Sequence, residues 1–353
     1  MNAVLQASPA THSLKPSAKT VHWGYFDAAI PPVLRIASGD RVEVETISGS
    51  PEQLPKSGYA IPPEFAEVHA AHKPFLGPHI LCGPVYVEGA EPGDTLALHL
   101  VSLEPARDWG ASAAIPFFGG LTSTDRTVTL QDALPDTTWI YHLDSVARTV
   151  QFQARHSEHR IDLPLEPMLG TVGVAPASNE VRSSLVPDRF GGNMDTPQMR
   201  AGTTCYLGVN VEGALFSIGD GHYRQGEGES CGTAVEGAMT TTLIVELIKG
   251  SAPGWPRLED DDHMMTVGSS RPLEDAWRVS QVEMVTWLTE LYGLHTMDAY
   301  QLLSQISETP LANVVDANYS VVTKARKSLL PDASAFDGLH RDLRARAAEF
   351  TGS

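Results

Sequence analysis

Short β-prone runs separated by Gly and Pro dominate the chain from Thr20 onward. Residues 20–26 are aromatic-rich, residues 30–36 enter a strand through Pro31-Pro32, and residues 40–46 alternate polar and apolar with the period of two that half-buries a strand. Val85 and Val87 then point one way and Tyr86 and Glu88 the other, before Glu91-Pro92-Gly93-Asp94 turns the chain into a further alternating strand. Residues 127–129, 139–141, 147–152, 240–248 and 318–323 read as more strands, and the apolar run 214–218 as a buried one. Residues 104–120 lose periodicity and read as a long loop, while Pro and Gly bend 164–177 repeatedly against a core. Convincing helices come only after residue 248. In 274–292, Trp277, Met284, Val285, Leu288, Leu291 and Tyr292 share one face, with Gly293 as a stop; Thr296 caps a second helix reaching Ile306, and 333–350 forms the last.

This pattern predicts a chain that is mainly β first and α+β last, with a sandwich or barrel core. Its divisions are an N-terminal arm at 1–20, either loose or an extended segment lying on a neighbour, an N-terminal β-sandwich region at 21–160, a central β region at 161–250 and a C-terminal α/β region at 251–353.

Composition narrows the function. Across 353 residues, 43 acidic and 25 basic side chains give a formal charge of -18, and without a basic patch that field repels nucleic acid and anionic membrane. Cys82, Cys205 and Cys231 show no CxxC spacing, which argues against a disulfide scaffold or a Cys-based zinc site and suits a reducing compartment. With no secretory h-region and no apolar run of about 20 residues, the expected location is the cytoplasm.

Chemistry concentrates at residues 219–236, where Asp220, His222, Glu227, Glu229 and Glu236 stand among glycines. If that stretch is locally extended, Asp220 and His222 lie on one side of the chain and can share a divalent metal with an open position; the alternative is a hairpin turn flanked by a His. A phosphate cradle would need a Lys and would avoid Glu227 and Glu229. Cys231 reads as a small packed residue, because neighbouring carboxylates raise a thiol pKa rather than lower it. Asp195 is a further possible ligand or an Asx turn, Glu88 a surface carboxylate or a general base, and His22 and Asp27 stand at strand ends. Ser183-Ser184 and Ser269-Ser270 lack the Lys and glycine setting of a serine amidase.

Gly219-Asp220-Gly221-His222, Gln225-Gly226, Gly228-Glu229, Cys231-Gly232-Thr233-Ala234 and Glu236 resemble one signature of the acetamidase/formamidase family. His79 with the run from Gly83 to Asp94 resembles its second. Pro32-Val33-Leu34, Gly39-Asp40, residues 168–176, Gly191 to Asp195 and Asp298 to Ser304 add matches in the same order, over about residues 20–330. The resemblance implies β-sandwich (jelly-roll-like) and barrel subdomains followed by an α/β subdomain. It also implies a homo-oligomer and a metal-dependent amidohydrolase that converts small carboxamides to carboxylate and ammonia.

Carried over, it puts Asp220 and His222, helped by Asp195 or Glu236, around a divalent metal, zinc by its donor set. Glu88, Glu229 and Gln225 become catalytic candidates, and His79 and Tyr223 substrate contacts. Tyr223-Arg224 replaces smaller residues and is expected to line or narrow the pocket, and Cys82 stands where Thr is common. The other readings are a lactam or cyclic-imide hydrolase of the same family, and a non-catalytic sandwich protein that holds a structural metal.

Overall fold

The alternating runs pair into sheets of ten, six, four and two strands in the computed structural model, which describes residues 9–49, 60–122, 133–177 and 179–351. The described chain is mainly β, with its long helices toward the C-terminus. The expected strand at 127–129 lies outside the described residues.

The ten-stranded sheet runs Thr11–Leu14, Arg41–Glu45, Met239–Ile248, Thr95–Pro105, Thr204–Gly208, Arg257–Glu259, His263–Ser270, Tyr319–Arg326 and Ser307–Glu308, with Leu311–Asn313 also on Tyr319–Arg326. It therefore joins strands as far apart in sequence as Thr11–Leu14 and Tyr319–Arg326. Its first pair is parallel and its other pairs are antiparallel. Thr11–Leu14 pairs with Arg41–Glu45 of its own chain, so this part of the expected loose arm is a sheet edge. Leu96, Leu98 and Leu100 are fully buried in the long strand Thr95–Pro105, and truncating one to Ala would cost about 2–5 kcal/mol. The strand buries Ala97 and His99 on its other face too, which explains its near-continuous apolar run.

The six-stranded sheet positions the site. Its order is Gly191–Asn193, Met168–Gly173, Phe216–His222, Ile80–Val87 and Val21–Trp23, with Leu34–Ile36 parallel on Ile80–Val87. Met168–Gly173 lies wholly buried within the stretch expected to be a bent connection. The predicted strand at 214–218 begins instead at Phe216, since Ala214 and Leu215 take positive φ of 58° and 53° and turn the chain into it. It then continues through the glycine-rich motif as far as His222.

Residues 104–120 are likewise mostly structured. Thr95–Pro105 and Trp109–Ala114 are strands, and the latter edges the four-stranded sheet with Thr137–Asp144, Thr149–Gln153 and Arg160–Pro164. Small residues such as Gly110 hid this strand from a hydrophobic count. An added Cβ at Gly110 would meet the Glu236 carbonyl at 2.9 Å and Val235 at 2.8 Å.

A helix α1, Pro63–Ala71, precedes those expected, with only Phe65 and Val68 buried, too few to mark a stripe. Helix α2, Leu273–Tyr292, ends on Gly293 at φ 62°, as its sequence indicates. Its buried face differs, however. Trp277 is exposed, and Ser280, Gln281 and Glu283 point inward beside Trp287 and Leu288. Polar partners on the sheet explain the exchange: Gln281 Nε2 donates to Thr323 Oγ1 at 2.9 Å and buried Arg257 Nε to Glu283 Oε1 at 2.6 Å. Helix α3, Thr296–Ile306, is capped by His295 Nδ1, which accepts from the Met297 N–H, rather than by Thr296. The last helical stretch breaks at Phe336 and Asp337, with φ of 47° and 57°, and resumes as α4, Leu339–Thr351.

Candidate active site

Four neighbouring strands of the six-stranded sheet bring Asn193, Gly170-Thr171, Asp220-His222 and the segment after His79 to one place. Isolated bridges draw in the rest. Glu236 bridges both His222 and Ala111 of the four-stranded sheet, while Gly228 bridges Asn313 of the ten-stranded sheet and carries Glu229 beside it.

Asp195, Asp220 and Glu229 have φ of 42°, 60° and 47°. Such left-handed backbone costs a non-glycine residue about 1–3 kcal/mol, and it clusters where side chains must be aimed against local preference. Glycine at 170 is required for a different reason. A Cβ there would collide with Asp220 Oδ2 and Asp195 Oδ1 and approach His222 Cε1 to 3.0 Å.

The buried imidazole of His222 is the hub. Its Nε2 lies 3.3 Å from Asp220 Oδ2 and 3.2 Å from Glu236 Oε2, and its Nδ1 is 2.9 Å from Gln225 Oε1. Gln225 Nε2 donates to the carbonyls of Asp195 at 2.6 Å and Ala312 at 3.0 Å, so its oxygen must face the ring and accept from Nδ1–H. Nε2 is thereby the ring nitrogen turned toward the carboxylates. His79 is arranged alike. Its Nδ1 donates to the Ser184 carbonyl at 3.0 Å and its Nε2 sits 3.7 Å from Asp220 Oδ2.

Behind these, Asn313 Nδ2 reaches Asp195 Oδ2 at 2.7 Å, Asp316 Oδ2 at 2.7 Å and Glu229 Oε2 at 3.2 Å. Asn193 Nδ2 donates to Asp195 and to Asp316. Asp195 Oδ1 is buried without a hydrogen-bond partner among the described residues.

The charges press on one another. Burial, then the negative charge of its neighbours, pushes the carboxyls of Asp195, Glu229 and Asp316 well above the carboxylate range, and burial raises Glu236 as well. Asp220 is the exception, since against the effect of burial the imidazoles of His79 and His222 hold it well below. Burial lowers His222, yet Glu236 and Asp220 override it and raise the ring well above its ordinary value. Crowded acids, an imidazole nitrogen aimed among them that strongly favours holding a proton, and an orphaned oxygen form a site that attracts positive charge. Ligand atoms of Asp195, Asp220 and His222 lie within 4.8 Å of one another, as do those of His222, Glu229 and Glu236. Mixed imidazole and carboxylate donors fit zinc or a similar divalent ion.

The cluster forms the floor of a cavity of about 720 Å³. His79, Asp195, Asp220, His222, Glu229 and Glu236 all line it. Other expected members do not. Glu88, expected as a base, is exposed and paired with Arg35 at 2.8 Å, at the far end of the strand that starts beside His79. Roughly 3.3 Å of rise per residue over that strand puts it more than about 20 Å from the cluster. Tyr223 is fully buried with its hydroxyl donating to the Ala238 carbonyl at 2.8 Å, and Arg224 turns outward to Glu166, so neither narrows the cavity. Gln225 stands behind His222, outside the lining. Cys231 is exposed rather than packed, and its thiol is raised by burial and by Glu229. Asn193, Asn313 and Asp316 went unnoticed as functional residues, Asn313 and Asp316 because nothing in the sequence links them to a loop some 85 residues earlier.

Fold and centre define a β-rich protein with a carboxylate and imidazole centre at the floor of a cavity. Residues 10–184 and 177–325 match the Acetamidase/Formamidase family, and the chain belongs to that family. It is 28% identical over 226 residues to the acetamidase of Mycolicibacterium smegmatis, a match covering 49% of this chain and 54% of that protein. The chain thus spans about half the length of the curated relatives it matches. Solved structures agree over more of the chain. An acetamidase from Yersinia enterocolitica superposes with a TM-score of 0.79 at 37% identity, covering 94% of this chain and 96% of the other. One from Bacillus halodurans gives 0.73 at 28%, covering 91% and 99%. No helix among the described residues is long and apolar enough to cross a membrane.

Proposed function

We propose that this protein hydrolyses small linear carboxamides to carboxylate and ammonia at this centre, with a zinc ion held by Asp220 and His222 together with Asp195 and Glu236. The observation that carries the reading is the aim of His222. With Nδ1–H committed to Gln225, its Nε2 faces two carboxylates, and the orphaned Asp195 Oδ1 stands nearby. When bound, such an ion lowers the pKa of water toward about 7 and polarises a carbonyl oxygen.

The chain's own groups do the rest. Glu229, in the lining and with its proton affinity raised by burial, takes the proton from the attacking water and returns it to the departing nitrogen. Asn313 Nδ2 holds the Glu229 carboxylate in place. His79, its far nitrogen tied to Ser184, presents Nε2 to the cavity and orients the amide. Gln225 acts through His222, and Glu88 takes no part.

Two features accompany this reading. Three free thiols suit a cytoplasmic protein, and Trp277, Val282, Met297 and Tyr300 exposed on α2 and α3 suit a homo-oligomer, which light scattering showing a monomer would refute. The decisive experiment for the activity measures ammonia release from formamide, acetamide and propionamide before chelation, after it, and after zinc is returned. Release that chelation abolishes and zinc restores supports the proposal; release indifferent to chelation, with metal removed, refutes the metal's role.

A further inference from the structure

Formamide and acetamide consist of a few heavy atoms, whereas the cavity above the cluster measures about 720 Å³, within the 300–1,000 Å³ usual for ligands of drug size. The cluster supplies the carboxylates of the cavity's lining, with Ser48, His69, Lys73, Ser112 and Thr233 as further polar members. The walls carry Trp23, Ile47, Ile80, Ile115, Phe118 and Leu185. One wall is held rigid: Trp23 Nε1 donates to the Pro78 carbonyl at 2.7 Å, and the His69 ring meets the indole edge to face at 4.7 Å and Phe65 at 4.6 Å. An aromatic surface fixed in advance loses little side-chain freedom on binding. Small amides would leave these walls against water, with no gain from their area.

Charge selects further. Lys73 is the sole Lys or Arg in the lining among the described residues, and it stands exposed, its Nζ 3.4 Å from the His69 carbonyl, whereas carboxylates crowd the floor. A neutral acyl group suits this arrangement better than an anionic one.

We infer that the acyl pocket is built for a neutral aryl or arylalkyl primary amide of about the size of phenylacetamide. The carboxamide reaches the floor at Glu229 and His79, and the ring lies between Trp23 and Phe118. This rests on the amidase reading and goes beyond it in naming the acyl group. Covering roughly 100 Å² of apolar ring surface is worth of the order of 50-fold in affinity.

The test compares kcat/KM for formamide, acetamide, propionamide, benzamide and phenylacetamide in the zinc-loaded enzyme, alongside calorimetric titration of phenylacetamide and acetamide. The expected result is a rise of at least about tenfold from acetamide to phenylacetamide, carried by KM, and a fall of that ratio by a similar factor in Trp23→Ala and Phe118→Ala. A ratio below one in the wild type, with small amides turned over, overturns the acyl assignment and leaves the amidase reading standing. If no amide releases ammonia, the amidase reading fails, and calorimetry decides separately. Phenylacetamide binding more tightly than acetamide upholds the pocket assignment, and equal or absent binding of both overturns it.

Discussion

Replacing Gly170 by Ala adds one methyl group at the most crowded point of the centre. The new Cβ would stand closer than van der Waals contact to Asp220 Oδ2 and Asp195 Oδ1 and 3.0 Å from His222 Cε1. Gly170 does not use left-handed φ, so the backbone itself accepts alanine and the whole effect is steric. The carboxylates cannot simply rotate away. Thr171 Oγ1 donates to Asp220 at 3.3 Å, and Asn193 and Asn313 both donate to Asp195 Oδ2. Overpacking of this kind costs about 1–3 kcal/mol, and moving a reacting group by about 1 Å costs of the order of 100-fold in rate.

The expected outcome for Gly170→Ala is therefore a soluble protein with a modestly lowered Tm and kcat/KM reduced about 100-fold. Metal affinity should fall by about 10- to 100-fold, as it does when the groups orienting a ligand are disturbed. Gly226→Ala, in the loop that follows His222, is the control, because nothing lies within 4 Å of a Cβ added there. Ammonia release and metal content by mass spectrometry read both variants. A Gly170→Ala protein that keeps its metal and turns over within about twofold of wild type would refute the packing of Asp195, Asp220 and His222 described above.

Gln225→Leu removes the acceptor that fixes the His222 tautomer and should weaken zinc binding about 10- to 100-fold in a competition titration with a chelator. Glu229→Gln should lower kcat by about 10²- to 10⁴-fold with metal retained, whereas Glu88→Gln, at an exposed ion pair, should leave steady-state kinetics unchanged. Stability should fall on acidification, because burial pushes the imidazoles of His22 and His99 down from 6.5 to about 4 and about 3. Their folded pKa values are depressed, so the unfolded chain takes the proton first: the contribution is intact above pH 6.5 and is lost from there down through pH 4 for His22 and pH 3 for His99. For His22 the loss amounts to about 3 kcal/mol, measurable as urea unfolding at pH 7.5 and pH 4, with His22→Gln showing the smaller pH dependence.

Strand periodicity in residues 40–46 and 240–248, the helix stop at Gly293 and the density of ionisable groups at 219–236 were all legible in the sequence. Each is a local signal. What escaped depended on distant partners. Trp277 and Glu283 exchange burial because Arg257 on a sheet strand claims the carboxylate, and no helical stripe records that. Asp316 joins the site through Asn313, which bridges to the loop at Gly228, and through Asn193, more than a hundred residues earlier. Glu88 shares a motif with His79 yet is separated from it by the length of a strand, so nearness in sequence was a poor guide to nearness in space. Tyr223 follows a candidate ligand directly and still faces away, since successive residues of an extended chain point to opposite sides.

The bridge between Gly228 and Asn313 bears on how the chain acquires its competence. The centre's members are spread from His79 to Asp316, and the bond from Asn313 to Asp195 alone closes 118 residues. Loop closure of that length brings no reward until the intervening strands have docked, so the centre forms only with the long-range pairing of its sheets. A nascent or truncated chain lacking the segment around residue 313 lacks the Asn313 bonds that tie Asp195, Glu229 and Asp316 together, so under the proposed zinc reading metal uptake would report completed folding.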